Sequence, residues 1–269
     1  MSADALTTIR PIATGVLTDQ RRSLLLWSVA VGAVAAMYIA FYPSINASDL
    51  TGYIESLPEG MVEAFNYDQI GSAAGYLSST VYGVLGPALL LVYGVMKGSR
   101  LIAGEEEDGT LELDLTAPVS RLRLFFGRLA GLWLNMLILV AVLTVVTVMM
   151  VGALDMDVAV GNILAGSLGL LLLVVAVATV AAAAGAITGR RAIAVGVGAG
   201  LAVAAFMLNA IGPTVDAGWM TAISPFSWYS FNDPLTNGVD VPGYLGLAAL
   251  IVVAAAAGAY VFDRRDLMV

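Results

Sequence analysis

A single internal stretch, residues 97–128, carries the densest charge of the chain. It reads KGSRLIAGEEEDGTLELDLTAPVSRLRLFFGR and lies between long apolar runs. Its ionisable side chains are five of the twelve basic residues and six acids, namely Lys97, Arg100, Arg121, Arg123, Arg128, Glu105, Glu106, Glu107, Asp108, Glu112 and Asp114. These groups form ionic contacts rather than covalent bonds. A water-exposed charged segment held between two rigid spans is suited to passing on the motion of a partner.

The composition argues against catalysis within this chain. It contains no histidine and no cysteine, which removes the commonest general base, the commonest metal ligand and all thiolate sites. The only lysine, Lys97 in YGVMKGS, does not fit the phosphate-binding pattern G-x-x-x-x-G-K-[ST]. Neither G-x-S-x-G nor H-E-x-x-H occurs. The sequence therefore predicts no catalytic residue, no metal site, no cofactor site and no energy source of its own.

The hydrophobicity of the chain predicts an all-α integral membrane protein. Hydrophobic residues make up 59% and charged residues 12% of 269, whereas soluble domains carry roughly 25% charged residues. The apolar runs are too continuous for the alternating strands of a barrel, so we expect membrane-spanning helices. We predict one transmembrane domain, residues 1–269, with six spans at 23–42, 77–96, 129–151, 163–188, 192–211 and 244–262, and with a charged loop at 97–128.

The distribution of lysine and arginine predicts the topology. All twelve basic residues lie in the two terminal segments, in residues 97–128 and in the turn after the fourth span. The connections that alternate with these, 43–76, 152–162 and 212–243, contain no basic residue and carry only acids as charged residues. Because basic flanks stay inside, we expect both termini and residues 97–128 in the cytoplasm. For residues 2–22 the sequence leaves two alternatives, a helix lying in the membrane interface or a frayed tail.

Local signals add expectations about particular spans. Pro87 is expected to kink the second span. Ser120 is placed to cap the helix of the third span, where Arg121, Arg123 and Arg128 would mark the lipid interface. The aromatic residues of 212–243 fit an interfacial belt better than a re-entrant segment. Pairs of glycines four residues apart would allow close helix packing, and they are Gly94/Gly98, Gly127/Gly131, Gly185/Gly189 and Gly196/Gly200.

Only mild polar residues occur inside the predicted spans. The set is Asn135, Thr144, Thr147, Thr179 and Asn209. Hydrogen bonding between helices, or to the carbonyls of their own helix, is the favoured interpretation. The alternative is that Asn135, Thr144 and Asn209 line a pathway. Intramembrane charge, on which ion-coupled carriers and proton pumps depend, is missing from the predicted spans.

Two stretches carry a resemblance to a known family. Gly104 to Leu113 (GEEEDGTLEL), followed by PVSR at 118–121, resembles the E-x-x-x-G-T-L-E … P-[VI]-S-R signature of ABC-2-type transporter permeases. The tail FDRRDL at 262–267 is similar to the F-x-R-R-D-L end of that family. In the match Glu106 takes the place of the acid of the motif, with Glu105 and Glu107 as alternatives in register. The remaining matched positions are Gly109, Thr110, Pro118, Ser120 and Arg121.

The resemblance implies a function for the charged loop. It would hold a coupling helix between spans two and three that docks on a separate ATP-binding subunit, and ATP and Mg²⁺ would bind in that partner. A second permease copy would complete a homodimer in a prokaryotic plasma membrane, exporting a hydrophobic or amphiphilic compound such as a drug-like molecule or a lipid. No nucleic acid is expected as a partner.

Three other interpretations stay open on the sequence. The acids could form an ordinary solvated helix face. The chain could be a secondary carrier driven by an ion gradient, or a membrane scaffold of an assembly system that transports nothing.

Overall fold

The computed structural model describes residues 3–44, 71–107, 109, 120–230 and 232–265, with the backbone alone for residues 3–20. Every regular element in these ranges is a helix. Six of the helices there are long and apolar enough to cross a membrane. The predicted all-α, six-span class is confirmed, and the division into a single domain stays a prediction.

The helices follow the predicted order of spans. In chain order they are α1 (Ala3–Ala40), α2 (Ala73–Glu107), α3 (Arg121–Ala153), α4 (Val160–Thr188), α5 (Arg191–Thr214), the short α6 (Gly218–Ile223), α7 (Pro225–Ser230) and α8 (Pro234–Asn237), and α9 (Val241–Arg264). Residues 3–20 continue into the first span as one helix, so they form no separate element. Whether they lie at a membrane surface stays a prediction.

Helix α4 is the centre of the bundle, and small residues allow its neighbours to approach. In the most apolar window of α4, 78% of the residues are buried. Glycines of three other helices lie against its alanines: Gly98 of α2 at Ala178, Gly198 of α5 at Ala181, and Gly258 of α9 at Ala183. A Cβ on Gly98 would lie 2.5 Å from the Ala178 carbonyl oxygen. Lipid tails are as apolar as the side chains, so the hydrophobic effect does not drive helices together inside a membrane. Close backbone packing of this kind stabilises helix association there through van der Waals contact.

Helices α1 and α5 lie at the edge of the bundle. Helix α1 packs along α3, yet only 17% of the most apolar window of α1, and of that of α5, is buried. A Cβ on Gly196 or Gly200 of α5 would meet nothing within 4 Å. Of the predicted glycine pairs, Gly94/Gly98 therefore packs against α4, whereas Gly196/Gly200 faces away from the described part of the chain.

Helix α2 is interrupted by two π-helical turns, Val81–Leu85 and Arg100–Gly104. The first directly precedes Pro87, which is the second residue of the α-helical stretch that follows. Proline lacks the N–H that would continue the bonding pattern and crowds the preceding turn, so the helix widens there. A π turn therefore precedes Pro87, and the kink expected there stays a prediction.

The connection between α5 and α9 packs into the bundle. Phe226 and Tyr229 of α7 are 3% exposed and Leu235 of α8 is 2% exposed. The amide Nδ2 of Asn162 in α4 donates to the carbonyls of Leu235 and Thr236, at 3.0 and 2.9 Å. The belt interpretation is therefore wrong for Phe226 and Tyr229. Trp219 of α6, which is 61% exposed, remains consistent with it.

Candidate functional site

The acids singled out in the sequence lie at the end of α2. The helix runs through Glu107, and Gly109 follows with a φ of +68°. Its N–H donates to the carbonyl of Glu106 at 3.2 Å. Because φ in this region favours glycine, Gly109 ends the helix. Thr110, Pro118 and the predicted coupling helix lie outside the described residues.

Ser120 caps α3 as expected. Its backbone is extended (φ −67°, ψ 146°), and its Oγ accepts the N–H of Arg123 at 3.4 Å. Arg123 is exposed, while Arg121 turns toward the end of α9. The Nη1 of Arg121 donates to the carbonyl oxygen of Arg265 at 2.7 Å. Two matched residues of the motif, Ser120 and Arg121, thus define the start of α3 and its contact with the tail.

Arg128 is buried rather than at the lipid interface, so that expectation is wrong. Its side chain is 5% exposed, pairs with Glu105, and donates from Nη1 to the carbonyl of Leu101 at 2.9 Å. Leu101 belongs to the second π turn of α2. A π turn exposes carbonyl oxygen to donors from outside the helix. The guanidinium is therefore satisfied within the bundle by one carboxylate and one backbone acceptor.

Glu106 and Arg265 form the most enclosed ion pair of this region. Their side chains are 7% and 15% exposed, and the carboxylate bonds the guanidinium through Oε2. Gly189, between α4 and α5, makes room for the pair, since a Cβ there would clash with the Arg265 Nη1. This contact joins the E-x-x-x-G-T stretch to the R-R pair of the tail, 159 residues away in sequence.

Glu107 makes a third contact, to the start of α5. Its Oε1 accepts the backbone N–H of Arg191 at 2.8 Å. The residue at the cap position of α5, Arg190, makes no side-chain cap bond. A carboxylate is favoured at a helix N-terminus, both as an acceptor and by the helix dipole. Glu107 of α2 therefore caps a neighbouring helix.

These contacts define what we call the ionic cluster, formed by Glu105, Glu106, Glu107, Arg121, Arg128, Arg191 and Arg265. It ties the end of α2 to α3, α5 and α9. Within the described ranges, no group of three or more acids is placed to hold a metal ion. Its contacts include the ion pairs of Glu105 with Arg128 and of Glu106 with Arg265. Arg121 and Glu107 make hydrogen bonds to backbone atoms.

Three members of the cluster were absent from the predicted site, namely Arg128, Arg191 and Arg265. A signal for Arg265 existed in the tail motif. For Arg128 and Arg191 the sequence carried none, because both look like ordinary basic residues at span ends. The predicted acids and Arg121 lie in one region, and the contacts described for them are to other residues of the same protein.

The three candidate pathway residues lie on two helices, α3 and α5. Asn135 is fully buried. The Oγ1 of Thr144 donates to the Val140 carbonyl of its own helix at 2.7 Å. These two lie nine residues apart on α3, about 14 Å along the axis. Asn209 lies on α5, where its Oδ1 accepts from Ser227 of α7 at 2.8 Å.

Comparison with known proteins gives one family. The sequence model described as "ABC-2 family transporter protein" matches residues 11–267, almost the full length. No curated protein matches the chain.

Proposed function

The chain belongs to the ABC-2 family of transporter proteins, and from this premise we propose that it is the permease subunit of an ABC exporter driven by a separate ATP-binding subunit. The observation that carries the proposal is the ionic cluster. Acids of the family-type motif lie at the end of α2 and contact three other spans there. Force applied to the loop that follows would reach four helices at once.

The three acids differ in exposure, and we assign them different roles on that basis. Glu106 is enclosed by Arg265, so we assign it the transmission of motion into the bundle. Glu107 is exposed and Glu105 is partly exposed, so both also lie within reach of a docked subunit. Thr110, Pro118 and the rest of the loop would supply the docking face. Such a partner drives the transporter only by binding its two conformations with different affinity.

A second copy of the chain would complete the transporter. Helices α1 and α5 are the candidates for the contact, because each is 17% buried in its most apolar window. The face of α5 that carries Gly196 and Gly200 is open, which allows close approach of another helix. Cargo would pass between the copies, and apolar walls with mild polar groups favour a hydrophobic or amphiphilic compound.

The test is cargo-independent and uses the full chain with its cognate ATP-binding subunit in proteoliposomes. ATP hydrolysis by that subunit is measured with the wild-type permease, with Glu106→Gln, and with Arg264→Gln as a control for charge in the tail. We expect the permease to change the hydrolysis rate, Glu106→Gln to remove that change, and Arg264→Gln to keep it. An identical rate with and without the permease would overturn the proposal.

A further inference from the structure

The first π turn of α2 leaves one carbonyl without a helical donor. In a helix the Tyr82 carbonyl would accept the N–H of residue 86 or, in a π turn, of residue 87. The N–H of Gly86 bonds to the Val81 carbonyl instead. Residue 87 is proline, which has no N–H. A buried carbonyl in this position needs a donor from elsewhere.

Tyr229 of α7 supplies that donor. Its hydroxyl donates to the Tyr82 carbonyl oxygen at 2.9 Å, and the two residues are 3% and 2% exposed. Burial raises the pKa of the Tyr229 hydroxyl well above its ordinary value, so the group stays protonated and remains a donor. The contact replaces the missing backbone bond.

A second bond joins the same two regions. Ser78 of α2 donates from Oγ to Oδ1 of Asp233 at 2.6 Å. Thr236 donates to the other carboxylate oxygen at 2.7 Å, and Asp233 takes a φ of +42° immediately before α8. Ser78, before the π turn, is therefore bonded to the residue that precedes α8, and Tyr82, inside the π turn, is bonded to α7. The part after the π turn leads to Glu105, Glu106 and Glu107.

We propose that the π turn Val81–Leu85 is a hinge of α2, and that Tyr229 is the positioning residue that holds it in the conformation described here. The inference rests on the proposed function in assigning α2 the role of a lever between the ionic cluster and the α6–α8 segment. Movement of the cluster end turns the Tyr82 carbonyl away from Tyr229. Release of the bond then removes the link between the hinge and α7, while Ser78 still joins α2 to the residue before α8.

The bond itself is tested by a double-mutant cycle on purified full-length protein. Tyr229→Phe removes only the hydroxyl, and Pro87→Ala restores a backbone N–H that lets α2 close its own hydrogen bonds. We expect Tyr229→Phe to lower the melting temperature in the wild-type background and to have a smaller effect in the Pro87→Ala background. An equal loss in both backgrounds would overturn the assignment of Tyr229 to the unpaired carbonyl.

A matched control is Tyr244→Phe. The Tyr244 hydroxyl also donates to a backbone carbonyl of another span, that of Ala165, at 2.8 Å. Ala165 lies inside the unbroken helix α4, where a carbonyl also accepts from the N–H four residues on. We therefore expect the Tyr244→Phe shift to be the same with and without Pro87→Ala.

The lever role is tested in proteoliposomes with the ATP-binding subunit and a fluorescent lipophilic dye as the probe. A purely structural bond would change the amount of folded protein but leave the dye moved per ATP hydrolysed unchanged. We expect Tyr229→Phe to lower that ratio by about threefold to tenfold, the range open to one interhelical hydrogen bond in a membrane. We expect Pro87→Ala to lower it as well, because the hinge is lost while stability is gained.

The outcomes separate the inference from the function on which it rests. An unchanged ratio in Tyr229→Phe, beside a wild type that moves dye with ATP, would overturn the lever and leave the exporter in place. A wild type without ATP-dependent movement of dye would overturn the lever and count against the exporter. The double-mutant melting cycle tests the hydrogen bond between Tyr229 and Tyr82 whichever of these outcomes is found.

Discussion

Breaking the pair between Glu106 and Arg265 is the perturbation whose size follows most directly from the structure. The side chains are 7% and 15% exposed and in direct contact. At about 3 Å and an effective dielectric constant of about 20, two unit charges attract by about 5 kcal/mol. Desolvation offsets much of this gain, but removing one partner leaves the other charge buried, which typically costs about 3–5 kcal/mol.

We therefore expect Arg265→Gln to destabilise the protein by about 3 kcal/mol, since the more enclosed member, Glu106, loses its partner. Glu106→Gln should cost less, because Arg265 is more exposed and can move toward water. The double variant should fall short of the sum of the two by about 1–3 kcal/mol, which is the coupling between the residues. At about 2–4 °C per kcal/mol for chains near this length, Arg265→Gln should melt about 6–12 °C lower.

The assay is thermal unfolding in mild detergent, followed by tryptophan fluorescence and by the monodisperse fraction after heating. Arg264→Gln is the control, because Arg264 is the neighbouring residue but is exposed and stacks on Tyr260 with 4.1 Å between the guanidinium carbon and the ring centre. Its cost should stay below about 0.5 kcal/mol. Two results would show that the pair does not hold α2 to α9 and that the cluster does not transmit motion. One is an equal melting temperature of Arg265→Gln and Arg264→Gln. The other is a loss of stability in the double variant that equals the sum of the losses in Arg265→Gln and Glu106→Gln.

Four further substitutions test the packing and the ends of the helices. Ser120→Ala removes the cap of α3 and should lower the free energy of unfolding by about 1 kcal/mol, measured as a melting shift. Gly98→Ala places a Cβ 2.5 Å from a backbone oxygen of α4 and should lower the free energy of unfolding by about 1–3 kcal/mol. Gly196→Ala places a Cβ that meets nothing within 4 Å and should raise the free energy of unfolding by about 0.5–1 kcal/mol. Equal melting temperatures of the two variants would refute the packing of α2 on α4. Gly200→Leu should leave the melting of the single chain intact and abolish cross-linking between copies, and unchanged cross-linking would remove α5 from the dimer contact.

The spans and the ends of the charged loop could be predicted because their signals are local. Continuous apolar runs specify each membrane helix, whatever it packs against. Gly109 and Ser120 mark helix ends through the conformations that glycine and a serine cap adopt. These features need no knowledge of the neighbouring helices, and they appear where the sequence placed them.

The contacts of the site could not be predicted, because they depend on which helix ends come together. Glu106 and Arg265 are 159 residues apart, and Arg128 differs from Arg123 only in the face of α3 that it occupies. The sequence places Phe226, Tyr229 and Trp219 in one aromatic group. In the structure Phe226 and Tyr229 are buried and Trp219 is exposed. The difference arises because hydrogen bonds hold α7 against α2 and α8 against α4.

The central claim is that this chain works with a separate ATP-binding subunit, and purification from the native membrane tests it most directly. The chain is extracted in mild detergent, with and without cross-linking before lysis, and every protein that accompanies it is identified. We predict a soluble subunit with a phosphate-binding loop, in a stoichiometric amount. The absence of any such subunit after cross-linking would contradict the account.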